Sequence, residues 1–170
     1  MNDNFKVRLN KVRCFIFDVD GVLTNGSLIV MESELYRIMN IRDGFALKTA
    51  VEAGYHVAII SGGKSESVRT RLKNLGVKDI YLEVEDKSAR YEELLLLYNL
   101  KEEEILYMGD DLPDYEVMKR SGVPVCPNDA ATEIRNLAVY ISPVKGGEGC
   151  VRDVIEQTLR LQGKWPVFNS

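Results

Sequence analysis

A chain of 170 residues, 45% of them apolar and 28% charged, has the composition of an ordinary globular protein and is long enough for one well-buried core. Its formal net charge of -4 speaks against a nucleic-acid binder, which needs a basic face, so an anionic ligand would have to be met by local cations and a metal. No apolar run approaches transmembrane length, and the start, Met1-Asn2-Asp3-Asn4-Phe5-Lys6, has no apolar signal region. The three cysteines, Cys14, Cys126 and Cys150, stand in no metal-ligand spacing and imply no disulfide framework. The expectation is a cytoplasmic protein with no membrane and no nucleic acid among its partners.

The first apolar, β-rich run, residues 12–17, reads as a strand buried on both faces, and it runs directly into Asp18-Val19-Asp20-Gly21. Residues 25–40 read as a hairpin turning at Glu32-Ser33-Glu34. Helical spacing follows over 44–53, then a strand over 55–60 that ends at Ser61-Gly62-Gly63. A helix over 65–75 leads to a strand over 79–84, which precedes Glu85-Asp86-Lys87 and a helix over 88–100. The strand over 104–108 ends at Gly109-Asp110-Asp111. Helices over 113–121, 130–137 and 149–161 alternate with strands over 123–126 and 138–141. Strand and helix alternate throughout, so the predicted fold is α/β, a doubly wound parallel sheet forming one domain over 1–170, with a C-terminal tail from about 146. His56, isolated at the start of a strand, reads as structural.

The hairpin breaks the alternation. Its apolar residues fall on both faces, Leu28, Val30, Tyr36 and Ile38 against Ile29, Met31, Leu35 and Met39. A lone two-stranded ribbon is marginal in water and an apolar patch of that size marks an interface, which predicts a homo-oligomer.

In a doubly wound sheet the carboxyl ends of the strands meet at one crevice. Asp18-Val19-Asp20-Gly21-Val22-Leu23-Thr24 resembles the first motif of the haloacid dehalogenase superfamily of phosphohydrolases, and Ser61, Lys87 and Asp110-Asp111 stand where the other three motifs would. The resemblance implies Asp18 as nucleophile and Asp20 as general acid/base. Each residue type suits the transfer of a phosphoryl group. A carboxylate at Asp18 can attack phosphorus and split one displacement into two. Asp20 can protonate the leaving alcohol and then deprotonate water. Ser61 and a following amide can bind the transferring oxygens, while Lys87 neutralises charge and keeps Asp18 ionised. Several carboxylates in one crevice need a cation, and hard oxygen ligands favour Mg²⁺, with Asp18 and Asp110 as side-chain ligands. By the likeness, Asp20 also binds the metal through its carbonyl, Asp111 supports the site, and Asp114 orients Lys87.

No large cap is inserted, and the chain is most similar to the cap-less tetrameric subfamily of that superfamily. The likeness rests on Asn40-Ile41-Arg42-Asp43-Gly44, on Gly109 to Asp114, and on Gly146-Gly147-Glu148-Gly149-Cys150-Val151-Arg152-Asp153 followed by Gln162-Gly163-Lys164. It implies a tetramer acting on a phosphorylated 2-keto-3-deoxy sugar acid, the octulosonate 8-phosphate before the nononate 9-phosphate. Asn40, Arg42, Asp43 and Gly44 carry over as substrate-binding residues, with Lys48 and Arg71 where the subfamily has arginines. Lys87 and Asp111 are expected to touch substrate as well. The second motif departs from the subfamily's usual Thr-Gly-Arg: Gly63 removes a cation, for which the neighbouring Lys64 is the expected replacement. A glycine-rich segment from Gly146 followed by a helix is expected to reach a neighbouring subunit's site. Two competing readings are a signalling receiver domain, whose phosphorylated Asp sits mid-chain, and a non-catalytic oligomerisation module, which would have lost motif residues.

Overall fold

Four apolar residues, Cys14–Phe17, form β1, and they are buried because helices cover both faces of the strand. In this computed structural model, which describes residues 4–168, β1 lies in the middle of a six-stranded parallel sheet. Residues 1–3 and 169–170, the ends of the expected 1–170 domain, lie outside the described residues. The other strands are β4 (His56–Ile60), β5 (Asp79–Tyr81), β6 (Ile105–Met108), β7 (Val123–Cys126) and β8 (Tyr140–Ile141), in the order β5-β4-β1-β6-β7-β8. A separate antiparallel pair, β2 (Ile29–Val30) and β3 (Leu35–Tyr36), forms the hairpin. The chain leaves β1 to build β4 and β5 on one side, then returns to place β6 on the other. That reversal beside β1 opens a crevice at the carboxyl ends of β1, β4 and β6.

The period-two alternation of each strand feeds two cores. Phe15, Phe17, Val57, Ile59, Leu106 and Met108 point to the side of α2 (Ile41–Glu52), α3 (Glu66–Asn74) and α7 (Cys150–Leu161). Cys14, Ile16, Ala58, Ile60, Ile105 and Tyr107 point to the side of α4 (Lys87–Tyr98), α5 (Tyr115–Arg120) and α6 (Thr132–Leu137). Each fully buried large side chain here contributes about 1.5–3 kcal/mol, so the sheet that carries the site is anchored from both faces. No helix among the described residues is long and apolar enough to cross a membrane.

The elements follow the expected order with local differences. A short helix, α1 (Phe5–Leu9), precedes β1; five residues with one buried side chain give no readable period. β5 stops at Tyr81 rather than continuing to Val84, because Glu83 turns to φ 56° and its amide donates to the Gly63 carbonyl. β8 begins at Tyr140, after Ala138 has ended α6. α2 begins at Ile41, since the Asn40 side chain accepts from the amides of Arg42 and Asp43. α4 begins at Lys87, with the Asp86 side chain accepting from Ser88 and Ala89.

The hairpin turns where expected and is largely uncovered, with Val30 and Ile38 each 74% exposed. Met39 differs, packing against its own core. The Gly147 amide donates to Val22 O, and a Cβ on Gly146 would overlap the Gly21 carbonyl, so this glycine pair seals the back of the loop after β1. The helix that follows packs on α2, and the Gln162 side chain then donates through Nε2 to the carbonyls of Leu9 and Val12. Residues 146–162 thus pack on their own chain, where close backbone approach needs small residues.

Candidate active site

The loop after β1 turns back at once. The Asp18 carboxylate accepts from the Val19 amide at 2.7 Å, and Gly21 adopts φ 84°. A Cβ at Gly21 would overlap the Asp110 carboxylate, so only glycine lets the ends of β1 and β6 close on each other. The crevice formed there has a volume of about 470 Å³ and is lined by Asp18, Asp20, Ser61 to Gly63, Lys87, Asp110, Asp111 and Asp114. The structure thus brings together residues from all four strand ends.

Lys87 is the first residue of α4, where the positive end of the helix dipole disfavours a cation by about 0.3–1 kcal/mol. Two carboxylates offset that cost: Nζ lies 2.8 Å from Asp114 Oδ1 and 3.3 Å from Asp18 Oδ1, with only 6% of the lysine side chain exposed. Burial alone would push the ammonium down, but Asp18 and Asp114 hold it above its ordinary value. Asp114 is itself fully engaged. Its Oδ1 also accepts from the buried Tyr107 hydroxyl at 2.7 Å, and its Oδ2 accepts from the Asp110 amide at 3.1 Å. Asp114 therefore aims Lys87 at Asp18 and fixes the backbone that carries Asp110.

Carboxylate oxygens of Asp18, Asp110 and Asp114 lie within 4.8 Å of one another around this one cation. Burial, then the Asp114 charge, pushes Asp18 up to about 6 against the pull of Lys87. Burial, then the Asp18 charge, pushes Asp110 up to about 8. A cluster so short of positive charge, built from hard oxygen donors, fits a divalent cation of the Mg²⁺ type. With Asp114 occupied by hydrogen bonds, Asp18 and Asp110 are the side chains free to hold it.

Residues 33–127 match the family described as haloacid dehalogenase-like hydrolase. The chain is also 35% identical, over 95% of its length and 87% of the relative's, to a 3-deoxy-D-manno-octulosonate 8-phosphate phosphatase of Yersinia pestis. It belongs to the haloacid dehalogenase-like hydrolase family. The Escherichia coli K12 enzyme of the same description is 36% identical over 92% of this chain and 84% of its own. Among solved structures, that of the Moraxella catarrhalis phosphatase, in complex with magnesium ion, phosphate ion and KDO, superposes with a TM-score of 0.90 at 29% identity, covering 94% of this chain and 92% of that one. The matched family segment begins after Asp18 and Asp20, so the position of these two acids rests on β1 and on the whole-length relatives.

Within this family frame the remaining predicted residues divide. Ser61 is buried at the end of β4, its hydroxyl accepting from the Gly63 amide at 3.3 Å, and it faces the crevice. Asp111 lines the crevice while its side chain accepts from the Leu112 amide, starting the turn that ends at Asp114. Asn40, Arg42, Asp43, Gly44, Lys48 and Arg71 do not line it. The Asp43 carboxylate is buried and accepts from the Arg152 amide at 2.8 Å, at the start of α7. Gly44 supports the Arg71 guanidinium, which a Cβ there would meet at 2.8 Å, and Lys48 pairs loosely with Glu52 at 3.8 Å. Lys64 does not replace the cation missing at Gly63. It is 73% exposed and 3.8 Å from Glu83, outside the crevice lining. The guanidinium beside Gly63 is that of Arg37, a residue that sequence reasoning passed over, as it passed over Tyr107. A charged residue in an apolar ribbon reads as solvated, and a tyrosine in an apolar strand reads as core.

Proposed function

We propose that this chain is a Mg²⁺-dependent phosphatase that hydrolyses 3-deoxy-D-manno-octulosonate 8-phosphate to 3-deoxy-D-manno-octulosonate and phosphate, a step of lipopolysaccharide sugar biosynthesis. The observation that carries the chemistry is the cluster in which Lys87 stands 3.3 Å from Asp18 and 2.8 Å from Asp114 while Asp110 and Asp18 converge. Asp18 attacks phosphorus as the sugar oxygen leaves, giving an aspartyl phosphate, and Asp20 delivers a proton to that oxygen. Asp20 then takes a proton from water as it displaces Asp18. Lys87, the Ser61 hydroxyl and the amides after it hold the transferring oxygens, while Asp114 keeps Lys87 in place. Asp18, Asp110 and the Asp20 carbonyl would hold the metal, which when bound supplies positive charge to the phosphoryl oxygens. Charge on the transferring group is thus met by fixed cations in a crevice whose carboxylates otherwise repel one another.

The full-length likeness to octulosonate 8-phosphate phosphatases supports this substrate over the nononate 9-phosphate. The single-domain organisation, the homo-oligomer, expected as a tetramer, and the cytoplasmic location belong to the same reading. The exposed hairpin supports assembly, and three unpaired, buried thiols at Cys14, Cys126 and Cys150 suit a reducing compartment. In such an assembly the exposed cations Arg42, Lys48 and Arg71 on α2 and α3, which do not line the crevice of their own protomer, would meet the sugar carboxylate at a neighbouring protomer's crevice.

The experiment is a panel of phosphorylated 2-keto-3-deoxy sugar acids and simple phosphomonoesters, run with Mg²⁺ and with excess chelator. Preferred turnover of the octulosonate phosphate, its loss in chelator and its abolition in Asp18→Asn are expected. Parent-level activity in Asp18→Asn would defeat the mechanism, and preference for the nononate phosphate would defeat the substrate.

A further inference from the structure

Arg37 follows β3 and lays its guanidinium against Asp20, which lines the crevice, with 3% of the arginine side chain exposed. Nε donates to Asp20 Oδ1 at 2.6 Å and Nη2 donates to Asp20 Oδ2 at 3.1 Å, a fork that fixes the plane of the carboxylate. Nη1 donates to the carbonyls of Leu35 at 2.9 Å and Lys64 at 3.2 Å. One side chain therefore ties the hairpin, the loop after β1 and the loop after β4 together. Among the described residues, the ion pair and side-chain hydrogen bonds of the Asp20 carboxylate are with Arg37 alone, and that carboxylate is 36% exposed. Without the fork it would be free to turn among rotamers in solvent.

Gly63 belongs to the same arrangement. A Cβ there would lie 2.7 Å from Arg37 Nη2 and 2.8 Å from Asp20 Oδ2, wedged into the fork itself. The missing side chain at 63 is thus the space that the hairpin guanidinium uses to reach Asp20.

We infer that Arg37 is a positioning residue for the acid/base. It holds Asp20 in the rotamer that meets the leaving oxygen, and through it the placement of the hairpin sets the placement of Asp20. This rests on the phosphatase reading above. It adds that Gly63 is required by Arg37 and that the hairpin is a working part of the site as well as a surface. Lysine could not substitute fully, since a single ammonium cannot grip both oxygens.

The test uses the full chain with Mg²⁺ and two kinds of phosphomonoester. p-Nitrophenolate leaves without a proton, whereas a sugar alkoxide needs one, and kcat/KM reports steps only up to that departure. Arg37→Ala is expected to lower kcat/KM on the octulosonate phosphate by about tenfold to a hundredfold, the cost of a displaced catalytic group, and on p-nitrophenyl phosphate by less than about threefold. Arg37→Lys should restore part of the loss. Gly63→Ala should lower the sugar-phosphate value by itself but add little in the Arg37→Ala background, because both break one fork. Equal losses on the two substrates, no loss on either, or additive effects of the two substitutions would overturn the inference. If Arg37→Ala fails to fold, Arg37→Lys and Gly63→Ala give the same comparison. An unmodified chain that leaves the octulosonate phosphate untouched would overturn the substrate instead. The leaving-group comparison would then judge Arg37 on whichever primary-alkyl phosphate the chain does hydrolyse.

Discussion

Replacing Lys87 by Met keeps most of the buried stem and removes the charge, so it isolates what the ammonium does. The structure sets opposing terms. Removing one partner of a buried ion pair costs about 3–5 kcal/mol, because the remaining carboxylates lose their counter-charge. Relief of a cation at the positive end of α4 returns about 0.3–1 kcal/mol. A third influence trims the loss further. Burial and the Asp114 charge already push Asp18 up to about 6, so without the ammonium the cluster takes up a proton more readily than it stays charged and unpaired. The net destabilisation without metal is then about 2–3 kcal/mol, which in a chain of this size lowers the midpoint of thermal unfolding by about 5–10 °C. The drop should shrink in saturating Mg²⁺, which supplies charge to the same oxygens, and shrink again near pH 5.5, where the carboxylates protonate more readily. Turnover should fall by about a hundredfold or more even where stability recovers, since a metal does not replace a fixed donor at the transferring oxygen. The assay is thermal unfolding of parent and variant in chelator and in Mg²⁺, at both pH values, beside turnover. A variant that melts with its parent in chelator, or one whose deficit grows with Mg²⁺, would refute the account of Lys87 as the buried counter-ion of Asp18 and Asp114.

Metal binding should depend on pH with a defined sign. Asp18 and Asp110, held up to about 6 and about 8, carry protons that Mg²⁺ must displace, so affinity should rise between those values with proton release. Calorimetry in two buffers of different ionisation heat measures this, and a flat affinity with no protons released would contradict it. Asp43 is held up to about 6, mainly by burial, against an ordinary value of 3.8, so its protonated form is favoured in the fold. The stability it supports is full below its unfolded value and is lost as pH rises through about 6. Asp43→Asn keeps an oxygen for the Arg152 amide and should melt above its parent at pH values over about 7 and lose that advantage near pH 4; equal melts across that range would contradict it. Val30→Asp with Ile38→Lys should dissociate the assembly and lower turnover of the sugar phosphate, with mass read by sedimentation. A monomeric parent, or a dissociated variant with full turnover, would exclude assembly as a condition of activity.

What the sequence made legible follows from how local each signal is. Apolar runs ending in polar residues mark the carboxyl ends of β1, β4 and β6, and the alternation of strands and helices brings those ends to one crevice, so Asp18, Asp20, Ser61 and Asp110 could be placed together before any contact was known. Lys87 was legible by its place after the strand over 79–84, where the family likeness expects one of the four motifs. Asp43 shows the limit of likeness. It sits in a segment matched to substrate binding, yet its carboxylate caps a helix that begins more than a hundred residues later in the chain, and no local pattern announces a cap at that distance. Tyr107 and Arg37 were illegible because one has the period of an ordinary core residue and the other reads as a solvated charge in an apolar ribbon, and only packing shows that one hydroxyl holds Asp114 and one guanidinium holds Asp20. Gly63 makes the same point from the other side. Taken alone it is a missing cation, and the nearest basic residue in the chain, Lys64, is the natural substitute. In the fold, Lys64 lies out by Glu83, while the space above Gly63 admits a cation from a different element. A substitution that looks like a loss at one position is a vacancy filled from the hairpin, and the two residues have to be read as one feature.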